Sequence, residues 1–178
     1  LSVYDVFCSG CGPNSVIVGV ELSGDPKYDG RKFLPLFTNA AQAGLSTTLH
    51  VAESRDHLDE LYDCLQLNAD RIGHGTFIHQ ISDVMQRARC IDYVLEMRTP
   101  IEICLTSNVT DDRGVMNCSL SGEYTIAAKT FGLSREQLFQ LSVTAFKSMF
   151  IQGREDCRED VDKIASSFRR FAHLESLA

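Results

Sequence analysis

Four short apolar runs recur along the chain, and their regular spacing constrains the fold more than any other feature of the sequence. The runs occupy residues 16–22, 46–51, 70–74 and 101–105, so they start at intervals of roughly 25 to 30 residues. They are continuous stretches of apolar and β-branched residues, which is typical of strands that are buried on both faces. The pattern therefore predicts four parallel β-strands.

The segments between these runs have the periodicity of helices. Residues 31–44 place apolar side chains at helical spacing, with Pro35 near the start of the helix and Gly44 at its end. Residues 54–68 and 81–96 repeat the pattern. Strands that alternate with helices predict an α/β fold built from βα units around a parallel sheet.

No domain boundary interrupts the pattern, and the C-terminal part of the chain is helical in pattern. Ser134 followed by Gln137 has the spacing of a capping box, which predicts the start of a helix. A Rossmann-type nucleotide-binding domain is a weak alternative, because no G-x-G-x-x-G opens the helix after the first strand.

Composition narrows the class of partner. The 178 residues are 44% hydrophobic and 23% charged, as expected of a globular domain, and the net charge is −7. Without a run of Lys or Arg, binding to nucleic acid or to an anionic membrane is not expected, and a small molecule is the predicted partner. The sequence shows no membrane span and no signal peptide, which predicts a cytoplasmic protein.

The seven cysteines are an odd number scattered along the chain, which favours reduced thiols over a disulfide framework. Cys8 and Cys11 form a C-x-x-C, yet no second pair follows at the spacing of a zinc ribbon. A redox or zinc role for this pair, and a loop that only happens to contain two cysteines, both stay open.

Each predicted strand ends in polar residues or is followed by them, at the edge where parallel α/β folds carry their active sites. Each residue alone has a structural explanation, since a histidine in a strand is often a core residue and Gly-Asp is often a turn. The same pattern at all four strand ends favours a functional site. The residues are Gly24 and Asp25, His50 and Glu53, His74, and Ser107 and Asn108.

Five blocks of sequence together resemble the adenosine deaminase family, and most of all its adenosine deaminase-like branch, which includes N6-methyl-AMP deaminases. The blocks are "VGVELSGDP", "LHVAES", "RIGHGTF", "CLTSNV" and "TDD", and a similar helical tail begins "SGEYTIAAKTFGLSREQL". The resemblance implies a (β/α)8 TIM barrel of the metal-dependent amidohydrolase type. It also implies hydrolysis of the amino substituent at C6 of an adenine nucleoside or nucleotide.

Family members carry one Zn²⁺ per full-length chain, and the resemblance implies which residues act around it. His50, on the fifth strand of the barrel, would be a zinc ligand, and Asp111 would bind zinc and position the hydroxide. Glu53 would protonate purine N1, which makes C6 electrophilic. His74, on the sixth strand, would orient or deprotonate the zinc-bound water.

Two further residues would bind the purine. The backbone amide of Gly24 would approach N3, where a side chain would obstruct the base, and Asp112 would form a hydrogen bond with N7. The zinc deaminases that act on nucleic-acid bases are excluded, because their H-x-E and P-C-x-x-C signature is absent.

Two departures from the family predict that residues 1–178 are a single but incomplete deaminase-like domain. The family takes two more zinc ligands from an H-x-H on its first strand, and this sequence contains no H-x-H. Only Val109 separates "CLTSNV" from "TDD", whereas adjacent parallel strands need a crossover of a dozen or more residues. We therefore expect roughly strands four to seven with C-terminal helices, and no N-terminal half or strand-seven-to-eight crossover.

Several alternatives stay open at this point. The chain is predicted to be a portion of a zinc-dependent deaminase that is incomplete for catalysis, or else a non-catalytic splice remnant that binds a purine weakly or pairs with another polypeptide. Family members are usually monomeric, whereas exposed sheet edges predict self-association here. The sequence does not choose among adenosine, AMP and N6-methylated substrates.

Overall fold

The computed structural model describes residues 17–103, 105, 119–150, 159, 162–164, 166, 167 and 170. Four strands and five helices are labelled here in chain order. They are β1 (Gly19–Leu22), α1 (Leu34–Gln42), β2 (Ser46–Val51), α2 (Leu61–Leu65), β3 (Arg71–His74), α3 (Val84–Met97), β4 (Ile101–Glu102), α4 (Leu120–Phe131) and α5 (Arg135–Lys147). Short 3₁₀ segments precede three of the helices, at Arg31–Phe33, Leu58–Glu60 and Ile78–Gln80.

The four strands form one parallel sheet in the order β1-β2-β3-β4. Each strand therefore pairs with the next strand along the chain, and a helical segment fills each crossover. Val51 lies opposite His74 in the register of β2 and β3, so the carboxyl ends of these two strands are level with each other. The predicted arrangement of βα units is confirmed.

The core lies between the sheet and helices α1 to α3. The central strand β2 is buried along nearly its whole length, including the polar residues Ser46, Thr47 and Thr48. Leu49, Leu61 and Cys64 are each 1% exposed, and Cys90 is completely buried. A strand this deep must satisfy its polar groups internally, and Thr47 does so by donating its backbone N–H to Asp70 at 2.8 Å.

Local residues set the ends of the helices. Pro35 lies in the first turn of α1, where its missing N–H costs nothing, and Gly44 follows that helix with φ +83°. The capping box predicted at the start of α5 is confirmed, because Ser134 and Gln137 exchange side-chain to backbone hydrogen bonds.

Several predicted bounds were wrong. The helix predicted from residue 54 begins later, because His57 has a left-handed backbone with φ +50°. Asp83 is extended and accepts hydrogen bonds from two backbone N–H groups, so α3 begins at Val84 instead of residue 81. The first and third strands, predicted at residues 16–22 and 70–74, form the ladder only at Gly19–Leu22 and Arg71–His74.

The fourth strand is also shorter than predicted, since residue 103 lies outside the ladder. Its pairing partner β3 ends at His74, whose backbone turns left-handed with φ +62°. Only Ile101 and Glu102 therefore have partners in β3, and Ile103 is left 66% exposed.

The C-terminal segment contacts the amino-terminal edge of the sheet. Phe150, just after α5, lies against Gly19 so closely that a Cβ at Gly19 would come 2.7 Å from its ring. The guanidinium of Arg71 stacks on the same ring, 3.8 Å from the centroid, and donates to the carbonyl of Ser148 at 3.3 Å. Arg71 thus joins the C-terminal helices to the sheet. Among the described residues, no helix is long and apolar enough to cross a bilayer.

Candidate active site

The strands β2 and β3 both end in a left-handed turn, which places their terminal side chains next to each other. Ala52 follows β2 with φ +50°, and His74 ends β3 with φ +62°. Two backbone hydrogen bonds join these ends, from Gly75 to Val51 and from Phe77 to Ala52. Left-handed residues other than glycine are energetically costly and cluster at functional sites. The backbone at the ends of β2 and β3 is therefore held in the left-handed conformation.

Glu53 and His74 form a carboxylate–imidazole pair at these strand ends. The Oε1 atom of Glu53 lies 3.4 Å from Nε2 of His74. The side chain of His74 is only 5% exposed, while that of Glu53 is 25% exposed. Glu53 therefore reaches solvent-accessible space, and His74 lies behind it.

His50 lies beside this pair, with its ring centroid 5.3 Å from that of His74. Its Nδ1 atom is 3.2 Å from the carbonyl oxygen of Leu22 on the neighbouring strand β1. Because a carbonyl oxygen only accepts, Nδ1 is the nitrogen that carries the proton in this arrangement. The Nε2 atom of a neutral His50 then carries no proton, and its lone pair can bind a metal ion.

A row of three residues crosses the sheet at the level of His50. In the pairing register, His50 lies opposite Gly73, and Gly73 lies opposite Glu102. Gly73 has no side chain, so Glu102 approaches His50 across it, with Oε2 of Glu102 4.0 Å from Nε2 of His50. Arg71 binds the other carboxylate oxygen of Glu102 at 2.8 Å. The glycine thus makes room for the imidazole and the carboxylate.

A cleft of about 260 Å³ opens at the carboxyl ends of β1 and β2. Gly24, His50 and Glu53, three of the residues predicted from the sequence, line it. Gly24 has φ +141°, a backbone conformation that residues with a side chain rarely adopt, and the space beside its Cα is open. The other lining residues are Leu22, Ser23, Asp25, Pro26, Tyr28, Gly30, Lys32, Phe33, Val51, Ala52, Ser54, Asp56 and Glu60.

An ion-pair cluster around Arg31 holds the loop that follows β1 against the segment before α2. Arg31 lies 2.6 Å from Asp29, 2.9 Å from Asp59 and 3.6 Å from Asp63. Hydrogen bonds from Arg31 hold the pKa of Asp29 well below its usual range. These ion pairs link two segments whose neighbouring residues, Gly30 and Glu60, line the cleft.

Glu60 adds a second link between the loop that follows β1 and the segment before α2. Its carboxylate accepts a hydrogen bond of 2.6 Å from the backbone N–H of Gly30. Burial raises the pKa of Glu60, and the bond from Gly30 opposes that rise only in part. Glu60 was not among the residues predicted from the sequence.

The structure brings Gly24, His50, Glu53 and His74 together, as the sequence predicted. Asp111 and Asp112 lie outside the described residues, as do Ser107, Asn108, the Cys8–Cys11 motif and the junction at Val109. Their predicted roles stay predictions. Among the described residues, no group of three or more His, Cys, Asp or Glu side chains is arranged to hold a metal ion.

Sequence reasoning missed four residues around the site, namely Lys32, Glu60, Arg71 and Glu102. The signal for Glu102 was its place in the apolar fourth run, where a charged residue needs a partner. Lys32 and Glu60 lie in 3₁₀ segments, and their position at the cleft depends on how two loops meet. A contact between two loops produces no local pattern in the sequence.

Comparison with known families and proteins gives a consistent result. Residues 13–110 match the family model described as adenosine deaminase. The chain is 38% identical to an N6-methyl-AMP deaminase of Danio rerio over 164 residues, which cover 77% of this chain and 47% of the relative. It is 31% identical to an adenosine deaminase of Escherichia coli, over 78% of this chain and 48% of the relative.

Solved structures are similar as well. The apo N6-methyl-AMP deaminase of Arabidopsis thaliana superposes with a TM-score of 0.72 at 29% identity, over 84% of this chain and 49% of that one. An arabidopsis structure in complex with GMP gives a TM-score of 0.75 at 26% identity, over 93% and 55%. The chain thus spans about half the length of these relatives, and its sheet is part of a barrel of their type.

Proposed function

The chain belongs to the adenosine deaminase family, and we propose that it forms part of a zinc-dependent hydrolytic deaminase acting at C6 of an adenine nucleoside or nucleotide. The observation that carries this proposal is the meeting of Gly24, His50 and Glu53 in one cleft, with His74 paired to Glu53. Residues 1–178 would contribute roughly the fourth to seventh strands of the barrel. A cytoplasmic location stays a prediction.

The donor chemistry of His50 fits a metal ion. Its Nδ1–H is held by the Leu22 carbonyl, which is the kind of partner that fixes the tautomer of a metal-binding histidine. In the proposal His50 and Asp111 hold zinc together with two histidines from outside this segment. When bound, zinc would lower the pKa of a coordinated water to about 7 and so make hydroxide available at neutral pH.

The other residues act on the substrate and on protons. Glu53 is the more exposed member of its pair with His74, and it would deliver a proton to purine N1, which makes C6 more electrophilic. His74 would orient the attacking water or accept a proton from it. The open space and positive φ at Gly24 suit a base that approaches the backbone, and Asp112 is proposed to bind N7.

The test is an assay of ammonia or methylamine release together with a zinc measurement. The chain and a polypeptide with the complete barrel would each be given adenosine, AMP and N6-methyl-AMP. The proposal predicts zinc and turnover in the complete barrel, with turnover abolished by chelation. Purine binding without turnover in every polypeptide would favour the alternative, a non-catalytic purine-binding remnant. A complete barrel that neither binds nor converts any of the three substrates would contradict both.

A further inference from the structure

Lys32 lies at the cleft in a position that the proposed chemistry does not use. It belongs to the 3₁₀ segment Arg31–Phe33 between β1 and α1, and both Lys32 and Phe33 line the cleft. The Nζ atom lies 4.9 Å from the centroid of the Phe33 ring. The ammonium group therefore lies over an aromatic face beside the opening, on an exposed side chain.

The charges around the cleft make this lysine unusual. Among the described residues, four carboxylates line the cleft, those of Asp25, Glu53, Asp56 and Glu60, and Lys32 is the single lysine or arginine that lines it. The neighbouring Arg31 is already bound to three aspartates. Within the described part of the chain, Lys32 makes no ion pair with a carboxylate. Arg31 is therefore engaged in structural ion pairs, whereas the adjacent Lys32 is available to a ligand.

We propose that Lys32 binds the phosphate of a purine nucleotide and thereby makes the cleft selective for nucleotides over nucleosides. This inference rests on the proposed function, since it assumes that the base occupies the end of the cleft at His50 and Glu53. A lysine binds phosphate as a mobile point charge, and its flexible stem allows Nζ to leave the Phe33 ring and meet a ligand.

The acidic lining is the physical reason why the lysine matters. A phosphate dianion that enters a space bordered by four carboxylates is repelled, and without a cation a nucleotide would bind less well than the uncharged nucleoside. A neutral nucleoside has no such need. The arabidopsis structures similar to this chain include complexes with GMP and with IMP, which carry a phosphate.

The experiment measures the binding of IMP and of inosine, two ligands that differ only in the phosphate, by calorimetry at low and at high salt. The proteins are the 178-residue chain, Lys32→Gln, Lys32→Arg and the control Lys27→Gln. Lys27 lies in the same loop and is exposed, but it does not line the cleft. The wild-type chain should bind IMP more tightly than inosine, and high salt should reduce this preference.

In Lys32→Gln, the affinity for IMP should fall by about 10-fold with little change for inosine, as expected for the loss of a charge-assisted contact. Lys32→Arg should keep most of the preference, and Lys27→Gln should leave it unchanged. A preference for IMP that persists in Lys32→Gln would overturn the role of Lys32 while leaving purine binding intact. Equal binding of IMP and inosine by the wild-type chain would overturn the selectivity. If the wild-type chain binds neither ligand, this inference is overturned, whereas the proposed function, which is tested on the complete barrel, is not.

Discussion

His50 and Glu102 face each other across Gly73, with 4.0 Å between Nε2 and Oε2, although their strands β2 and β4 do not pair with each other. The intervening strand contributes only a glycine at this level. A Cβ at Gly73 would come 2.7 Å from both Cγ and Nε2 of His50. The position of the imidazole therefore depends on the missing side chain of its neighbour.

The first prediction follows from this contact. Gly73→Ala should displace the His50 ring and lower stability by about 1 to 3 kcal/mol, the usual cost of overfilling a packed site. Thermal melts followed by circular dichroism would measure the loss. Gly122→Ala is the control, because that glycine lies in the first turn of α4, away from the site, and a Cβ there would meet only Ser119 Oγ at 3.1 Å. Equal melting temperatures for Gly73→Ala and the wild type would show that the His50 ring does not pack against Gly73.

A second prediction concerns the buried thiols. Burial raises the pKa of Cys64 to about 12 and that of Cys90 to about 11, so both thiols are protonated at pH 8 and have no access to reagent. Labelling with iodoacetamide, resolved by peptide mass spectrometry, should leave both cysteines unmodified in the folded chain. Both should react in denaturant. Rapid labelling of either cysteine under native conditions would show that the core around it is not closed.

A third prediction uses the raised pKa of Glu60. Because burial raises this pKa in the folded state, the contribution of Glu60 to stability is fully present below its ordinary pKa of 4.5 and is lost as pH rises. Glu60→Gln can still accept the N–H of Gly30 and carries no charge. Its melting temperature relative to the wild type should therefore rise between pH 4 and pH 7. A difference that instead shifts toward the wild type over this range would mean that the ionised carboxylate is favoured here.

A fourth prediction concerns the edges of the sheet. Within the described residues, β1 and β4 each pair on one side only, and the apolar side chains of Ile101 and Ile103 beside β4 are 42% and 66% exposed. Exposed parallel edges with apolar side chains favour association. Light scattering should therefore show self-association that Ile103→Lys reduces. Ile126→Lys, on the exposed face of α4, should not reduce it. A monomer at all concentrations would disprove the prediction.

Much of the fold could be predicted because it is encoded by local patterns. The second strand, 46–51, has the predicted bounds, since it is buried on both faces and its apolar run has the same limits as its ladder. The capping box at Ser134 is equally local. The predicted helix start at residue 54 failed because a hydrogen-bonded turn at Ser54 and Asp56 precedes the left-handed His57. Such a turn is not visible in helical periodicity.

The candidate site likewise contains residues that could be predicted from local patterns and residues that could not. His50, Glu53 and His74 could be predicted because strand ends meet at one edge of a parallel sheet. The approach of Glu102 to His50 required the register of three strands, and no single strand carries that information. The place of Lys32 at the cleft depends on the 3₁₀ segment and on the ion pairs of Arg31. These contacts arise only once the fold has formed.

His50 is proposed to hold the metal and Glu53 to supply the proton, and zinc content measured together with turnover separates these two roles. Zinc content and turnover would be measured for Glu53→Gln and His50→Asn in a polypeptide with the complete barrel. Glu53→Gln should retain zinc and lose about 10²- to 10⁴-fold in turnover, because the amide keeps the shape but cannot deliver the proton. His50→Asn should lose both zinc and turnover. Near-normal turnover of Glu53→Gln would remove Glu53 from proton transfer, and full zinc content in His50→Asn would show that His50 is not a zinc ligand.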